Sequence, residues 1–140
     1  MSDAVASFIA LARDDLEVAR KLIDGHPRAA AFHVEQAAEK LLKAVLTAES
    51  IIFSANHHQL GKLAEALPAD HIWRADLMAF DAYTTYATAT RYPRPGGGMP
   101  RTPTKDVIDA AIRTVSSLVG EIEDWCREKL AHEARPKRIP

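Results

Sequence analysis

Two adjacent histidines, His57 and His58, are candidates for proton transfer in this sequence. They stand at the start of a predicted helix, where the positive end of the helix dipole lowers the basicity of an imidazole and favours its neutral, proton-accepting form. Because adjacent residues on a helix point about 100° apart, at most one of the two can face a given groove. Their position fits a general base, and it also fits ordinary exposed residues at a helix start.

A basic segment is a second candidate, here for binding phosphate. Between Asp81 and Asp106 the chain carries four basic residues and no acid, although the formal net charge of the whole protein is -1. These residues are Arg91, Arg94, Arg101 and Lys105. Three glycines at positions 96–98 leave backbone N–H groups accessible to an anion, but no glycine-rich phosphate-loop pattern is present. The segment predicts either a local anion site or a flexible connector with solubilising charges.

A row of polar side chains follows the apolar stripe of one predicted helix. Gln36, Glu39 and Lys43 fall on one flank of that stripe, with Phe32 one turn before them. Glu39 and Lys43 are four residues apart in the favourable order, but such a pair contributes only about 0.2–0.5 kcal/mol to a helix. The spacing therefore fits a solvated helix face as well as the wall of a groove.

The remaining reactive side chains are more typical of a core. Cys126, the single cysteine, lies within an apolar helical stripe and has no acid–base partner nearby in the sequence. Tyr83, Tyr86 and Tyr92 could stack on a nucleobase, but helical spacing also suits the amphipathic edge of a core. No cysteine and histidine spacing matches a zinc site, and we predict neither a metal nor a cofactor.

Five helices are predicted to position these residues. Apolar side chains recur at helical spacing, and Ser2 or Asp3, Asn56 and Thr104 are the predicted helix caps. With the prolines and glycines they place the helices near residues 3–24, 27–50, 57–67, 70–91 and 104–130. Four prolines and three glycines at residues 93–103 predict a long loop. No segment alternates like a strand. The predicted fold is all-α, an antiparallel up-and-down bundle of four long helices plus one short helix.

Composition agrees with one compact domain. The chain has 140 residues, of which 47% are hydrophobic and 26% charged. We expect a domain at residues 1–131 and a basic, disordered tail at residues 132–140. No stretch approaches the roughly 20 apolar residues of a membrane span, and residues 4–12 lack the cationic start of a signal peptide. These features predict a soluble, cytoplasmic protein without a membrane partner.

Three of these features occur in the order and spacing of the HEPN domain, which the chain resembles. They are the run at residues 36–44, the helix start His57-His58-Gln59-Leu60, and Arg91-Tyr92-Pro93. The resemblance covers about residues 30–93 by motif and the whole domain by helix pattern. It implies a small dimeric helical bundle, often encoded beside a minimal nucleotidyltransferase, with roles in nucleotide or RNA transactions and in toxin–antitoxin systems.

Catalytic members of this family are metal-independent ribonucleases with an Arg-x4–6-His motif near the helix that corresponds to the fourth helix here. The resemblance implies that histidine accepts the proton of a ribose 2′-OH while arginine stabilises the charge that develops on the phosphate. Arg91 matches the arginine, but residues 96–98, where the histidine should follow, are glycines. The motif can also be spelled as Arg28-x4-His33, as Arg20-x5-His26 and as Arg127-x4-His132, about as often as chance allows for so short a pattern.

Three hypotheses remain open at this point. The first is a non-catalytic dimeric module whose groove binds a nucleotide, RNA or a nucleotidyltransferase partner. The residues assigned to that binding are Gln36, Glu39, Lys43, His57, Arg91, Tyr92 and Arg94. The second is a ribonuclease toxin, in which His57 or His58 works with Arg91 in place of the missing histidine. The third is an interaction scaffold that dimerises through the apolar stripe of the last helix.

Overall fold

The computed structural model describes residues 1–54 and 59–133, and within these ranges it is helical without strands. The helices are α1 (Asp3–Leu22), α2 (Pro27–Ala48), α3 (Leu60–Ala64), α4 (Arg74–Met78), α5 (Thr84–Thr88) and α6 (Lys105–Glu133), and a 3₁₀ segment (Ala79–Tyr83) joins α4 to α5. The all-α prediction is confirmed. No helix among the described residues is long and apolar enough to span a membrane.

The helix ends follow the chemistry of their caps. Ser2 Oγ accepts a hydrogen bond from the Val5 N–H at 3.2 Å, and Thr104 Oγ1 accepts one from the Val107 N–H at 3.3 Å, as predicted for the starts of α1 and α6. Pro27 occupies the first turn of α2. Asn56, the predicted cap of the short third helix, lies outside the described residues. Helix α6 continues to Glu133, and the rest of the predicted tail also lies outside them.

Helix α2 is the centre of the bundle. It packs along α1, to which a short connection joins it as an antiparallel hairpin, and it also contacts α3, α5, α6 and the 3₁₀ segment. No residue of α2 from position 29 onward is exposed. The largest fully buried apolar side chains come from all parts of the chain: Ile9, Leu16, Leu41, Leu42, Leu46, Leu60, Leu63, Leu77, Phe80, Ile108 and Ile122. One continuous core therefore surrounds α2.

The fourth predicted helix is composite. We expected one helix from near residue 70 to near residue 91, whereas the chain forms α4, the 3₁₀ segment and α5 in succession between Arg74 and Thr88. The tighter 3₁₀ turn places residues three apart on one side, where the rings of Phe80 and Tyr83 lie 5.7 Å apart. Asp81 Oδ1 and Thr84 Oγ1, in turn, accept the Gly61 and Leu60 N–H groups at 3.0 and 3.1 Å. The 3₁₀ segment and the first residue of α5 thereby cap the start of α3.

Replacing Gly61 by alanine should lower the free energy of unfolding by about 1–2 kcal/mol, because the Asp81 carboxylate would have to leave its hydrogen bond. A Cβ at Gly61 would lie 2.8 Å from the Asp81 carboxyl carbon. Urea denaturation measures the change. Gly120→Ala is the matched control: nothing lies within 4 Å of its new Cβ, and alanine is favoured over glycine in a helix by about 1 kcal/mol. Equal effects of the two substitutions would contradict this explanation.

One end of the bundle gathers the end of α1, the start of α2 and the start of α6. Lys105 Nζ forms an ion pair with Asp24, which holds the first turn of α6 beside the α1–α2 connection. Arg28, in the first turn of α2, donates to the Thr90 carbonyl oxygen at 2.8 Å. The loop between α5 and α6 is therefore fixed at this end, next to the first residues of α2.

Candidate functional site

Four exposed arginines lie at this end of the bundle, and we call them the arginine cluster. They are Arg28, Arg91, Arg94 and Arg101. None of them forms an ion pair with a described residue, whereas Lys105, the fourth basic residue of the predicted segment, is paired with Asp24. Arg28 of α2 therefore takes the place that the sequence assigned to Lys105. The cluster concentrates four positive charges in a protein whose net charge is -1.

An open cavity of about 440 Å³ separates two of these arginines from α5. Arg94 and Arg101 line it together with Tyr92, the end of α5 and three prolines of the loop. The side chain of Tyr92 is exposed, at 61% of its surface. Guanidinium groups form paired hydrogen bonds with phosphate, and an exposed aromatic ring can stack on a base. The cavity therefore presents groups that can contact a phosphate and an aromatic ring.

The glycine segment shapes the loop rather than offering a row of free N–H groups. All three glycines at positions 96–98 have positive φ, at 85°, 106° and 94°, a conformation that side chains strain. The Gly97 N–H donates to the Arg94 carbonyl at 2.8 Å, and the Arg94 N–H donates to the Gly98 carbonyl at 3.1 Å. The Gly97 N–H is thus used within the turn. What the glycines provide is a tight reversal that fixes the backbone of Arg94.

Arg91 lies between this cavity and the polar row of α2. Its guanidinium carbon is 5.4 Å from the ring centre of Phe32 and 5.8 Å from that of Tyr92, distances typical of cation–π contact. Phe32 stands one turn before Gln36 on α2. No hydrogen bond or ion pair among the described residues links Arg91 to the polar row itself. His57 and His58, assigned to the same groove, lie outside the described residues.

The polar row is not a solvated face. Lys43 Nζ pairs with Glu39 Oε1 at 3.1 Å, with side chains only 15% and 10% exposed, and the Lys43 ammonium lies 5.8 Å from the Phe53 ring centre. Gln36 Nε2 donates to Glu35 Oε2 at 2.7 Å. Gln36, Glu39 and Lys43 are therefore held mainly by their own neighbours on α2.

Known proteins share both the sequence pattern and the fold. The model of the HEPN domain matches residues 5–125. The chain belongs to the HEPN family. A protein of Methanocaldococcus jannaschii named "Putative toxin MJ1304" is 28% identical over 134 residues, covering 87% of this chain and 88% of that protein. The crystal structure of TT1696 from Thermus thermophilus has a TM-score of 0.72 at 24% identity, over 91% of this chain and 99% of that one, which supports the fold.

One buried carboxyl group of this HEPN domain was not predicted from the sequence. Glu35 is 1% exposed, and burial raises its pKa to about 7, with the nearby Glu39 carboxylate adding to the effect. The sequence carried no signal for this burial, because Glu35 stands four residues before Glu39 and so falls on the same polar flank of α2. Only the packing of the other helices around α2 shows that the flank is covered at Glu35.

A second buried acid, Asp15, contacts the histidine of one of the alternative Arg-x4–6-His matches. Asp15 of α1 is 7% exposed, and its Oδ1 lies 2.9 Å from His33 Nδ1 on α2. The other oxygen of Asp15 pairs with Lys40. His33, the histidine of Arg28-x4-His33, therefore belongs to a polar network that joins α1 to α2, and its position is accounted for by packing within the HEPN bundle.

Cys126, Tyr83 and Tyr86 lie in or beside the core, as their positions on apolar helical stripes predicted. Cys126 is fully buried, and burial raises the pKa of its thiol to about 11, so the unreactive protonated form is present at neutral pH. Burial also raises the pKa of the phenols of Tyr83 and Tyr86, and only Tyr92 of the three tyrosines is exposed.

Among the described residues, no group of three or more histidine, cysteine or acidic side chains could hold a metal.

Proposed function

We propose that this HEPN protein binds the phosphate groups of a nucleotide or of RNA at its arginine cluster, without cleaving a phosphodiester bond. The observation that carries the proposal is the set of four exposed arginines, free of acidic partners among the described residues, of which Arg94 and Arg101 line a cavity together with the exposed Tyr92. Phosphate binding to such a cluster requires no overall positive charge, because attraction at short range depends on the local charges.

Two further features support an anion at this end. Helix α2 begins here, His26 gives it no side-chain cap, and its first turn contains no acid. The positive end of its dipole therefore adds to the arginine charges. The loop between Asp81 and Asp106 also brings no carboxylate that would compete for the guanidinium groups.

The binding role is favoured over catalysis by the composition of the loop. A histidine of the ribonuclease motif would follow Arg91 at one of positions 96–98, and all three positions hold glycines with positive φ. A histidine would be strained in that conformation. In addition, the Arg91 guanidinium lies over Phe32 and Tyr92, which suits orientation of a bound base or phosphate.

A ribonuclease toxin is the second candidate, favoured by the similarity to the protein named "Putative toxin MJ1304". In that case the purified protein cleaves RNA in the presence of a chelator, and His57→Ala or His58→Ala abolishes the cleavage. Intact RNA under those conditions would argue against this candidate and leave the binding role.

The proposal includes the partners that the family implies. The protein would act in the cytoplasm as a homodimer, paired with a minimal nucleotidyltransferase in a toxin–antitoxin system. Light scattering of the purified protein measures the dimer, and co-expression with a neighbouring nucleotidyltransferase tests the pair. If the protein were only an interaction scaffold, substitutions in the arginine cluster and at Glu39 or Lys43 would leave every interaction unchanged.

Fluorescence anisotropy with a labelled 12-nucleotide oligouridylate tests the binding role. If three phosphates are contacted, the affinity should fall about 20-fold between 50 and 200 mM salt, because each contact on a single strand contributes about 0.7 to the logarithmic slope. The double substitution Arg94→Ala and Arg101→Ala should weaken binding about tenfold or more and reduce that slope by about 1.4.

Arg127→Ala is the control for this experiment. It removes one positive charge, against two in the double variant, from the other end of α6, 22 residues after Lys105, which corresponds to about 33 Å along the helix axis. The affinity of Arg127→Ala for the labelled oligouridylate should equal that of the unmodified protein. Absence of binding at 50 mM salt, or equal losses in the control and the double variant, would overturn the proposal.

A further inference from the structure

The contact between Asp15 and His33 fixes the position of the proton on the His33 ring. Asp15 Oδ1 lies 2.9 Å from His33 Nδ1, and the other oxygen of Asp15 pairs with the Lys40 ammonium. A carboxylate that is paired with an ammonium group only accepts hydrogen bonds, so Nδ1 is the donor and carries the ring proton. In the neutral ring, the free lone pair therefore lies on the second nitrogen, Nε2.

This second nitrogen of His33 is accessible. The His33 side chain is 28% exposed, and no described residue forms a hydrogen bond with its Nε2. Among the described residues, the buried side-chain polar atom that lacks a partner is the indole nitrogen of Trp73, so His33 Nε2 is not a buried atom. Three of the four helix positions one turn away from His33 are alanines, at 29, 30 and 37, which carry only a methyl group.

The other histidines in the described part of the chain lack this combination. His71 uses both ring nitrogens, because Nε2 lies 3.0 Å from a carboxylate oxygen and Nδ1 accepts a backbone N–H at 3.2 Å, and its side chain is only 7% exposed. His26 and His132 are exposed, but neither ring is held by a described carboxylate. Within the described ranges, His33 thus combines a fixed ring proton with an accessible nitrogen.

A histidine held in this way is a nucleophile. A neutral imidazole with one N–H attacks an electrophile through its other nitrogen. The ring then acquires a positive charge, which a carboxylate at the N–H side stabilises. Asp15 is 7% exposed, and solvent weakens the attraction between such charges less at a buried site than at the surface. The Asp15–His33 pair is therefore suited to covalent transfer of a group onto Nε2.

Positive groups close to His33 favour a negatively charged group on its ring. Lys40 shares the Asp15 carboxylate with His33. The ring centres of His33 and Phe32 are 5.3 Å apart, and the guanidinium carbon of Arg91 is 5.4 Å from the centre of the Phe32 ring. Ammonium and guanidinium groups form strong hydrogen bonds with phosphate oxygens. A phosphoryl group is therefore favoured over an uncharged acyl group.

The surface around His33 requires that this group arrive in activated form. His33 lines none of five open cavities, of about 290–440 Å³, on the described part of the chain. Sites that bind a small substrate tightly enclose most of its surface. Because His33 stands on an unenclosed helix face, the donor must already carry a reactive phosphoryl group.

We propose that His33 Nε2 is a phosphoryl acceptor, and that its donor belongs to the phosphoramidate class, in which phosphorus is bonded to nitrogen. The Nε2 lone pair forms the new N–P bond, and the P–N bond of the donor breaks. The nitrogen of the donor leaves with that electron pair, as ammonia when the donor is phosphoramidate itself. The His33 ring keeps its Nδ1 proton beside Asp15 and becomes positively charged. This modification goes beyond the proposed phosphate binding and does not depend on it.

Incubation of the full chain with potassium phosphoramidate at neutral pH tests the proposal, with the rate at each histidine measured by peptide mass spectrometry at alkaline pH. His33 should be modified about tenfold or more faster than His26 and His132, because an oriented carboxylate raises the basicity of an imidazole. Asp15→Asn should lower the rate at His33 to that of the two exposed histidines. Asp14→Asn is the matched control, since it removes the same charge from an exposed position on α1 and should leave that rate unchanged.

A second measurement on the unmodified sequence does not depend on how well a variant folds. Phosphorus NMR of the product distinguishes the two ring isomers, and the phosphoryl group should be found on Nε2 of His33, since Nδ1 is held by Asp15. Equal rates at His33, His26 and His132 would overturn the proposal, and so would a phosphoryl group on Nδ1 of His33. Equal losses of rate in the Asp14 and Asp15 variants would show that the oriented contact has no role.

Discussion

Glu35→Gln should raise the free energy of unfolding of this HEPN protein by about 3 kcal/mol at pH 8 and change it little at pH 4. The physical reason is the burial of Glu35 within α2, which raises the pKa of its carboxyl group from 4.5 to about 7. Glutamine keeps the size of the side chain and an oxygen that can accept the hydrogen bond from Gln36, but it cannot ionise.

The sign follows from where the proton is bound. Below about pH 4.5 Glu35 is protonated in the folded and the unfolded chain, and it has no pH-dependent effect. Between 4.5 and 7 the folded protein retains a proton that the unfolded chain has released, so raising the pH lowers the stability. Above pH 7 the loss is complete, because the folded protein then holds the buried carboxylate in its charged form.

Urea denaturation of both proteins at half-unit steps from pH 4 to pH 8 measures this difference. The free energy of unfolding of Glu35→Gln minus that of the wild type should grow between pH 4.5 and 7 and then remain constant. Glu121→Gln, at an exposed position on α6, controls for the removal of one negative charge. A difference between wild type and Glu35→Gln that does not change with pH would show that Glu35 ionises in the folded protein as easily as in the unfolded chain.

Phe80→Ala should lower the free energy of unfolding by about 3–5 kcal/mol, the usual cost of removing a buried aromatic ring. Phe80 is 1% exposed and is the buried anchor of the 3₁₀ segment, where its ring faces Tyr83. Loss of that ring leaves a cavity between the composite helix and the core, and the short α4 and α5 have too few turns to hold their positions without it.

Thermal and urea unfolding both measure this loss. Ile72→Ala is the comparison, since Ile72 is 66% exposed and a substitution at such a position changes stability by only about 0.5 kcal/mol. A loss below about 1 kcal/mol for Phe80→Ala would mean that the composite helix contributes little to the folded state.

The sequence predicted the long helices because their signals are local. The apolar periodicity, the Ser2 and Thr104 caps and Pro27 at a first turn all act within a few residues, and the structure contains each of them. The division of the fourth helix could not be predicted in this way. It depends on Asp81 and Thr84 meeting the start of α3, which are contacts between segments about twenty residues apart.

The candidate site was predicted in part for the same reason. Arg91, Tyr92 and Arg94 are adjacent in the sequence and were assigned together, and Tyr92 and Arg94 now line one cavity. Arg28 reaches the cluster through the fold, by its bond to the Thr90 carbonyl. Lys105 was assigned to the basic segment, but its charge is paired by Asp24 in the connection between α1 and α2. The electrostatic potential at the site depends on every charge that lies near it in space. The sequence shows only those charges that are also near it along the chain.

The packing of other helices around α2 from residue 29 onward has a consequence for the motions of this protein. A helix covered along its length by α1, α5 and α6 cannot detach without separating all of them, so its amide protons exchange with solvent only when the whole molecule unfolds. Local fluctuation is left to the helix ends and to the connections between them. The arginine cluster lies at such a helix end and connection, so binding there requires no opening of the core.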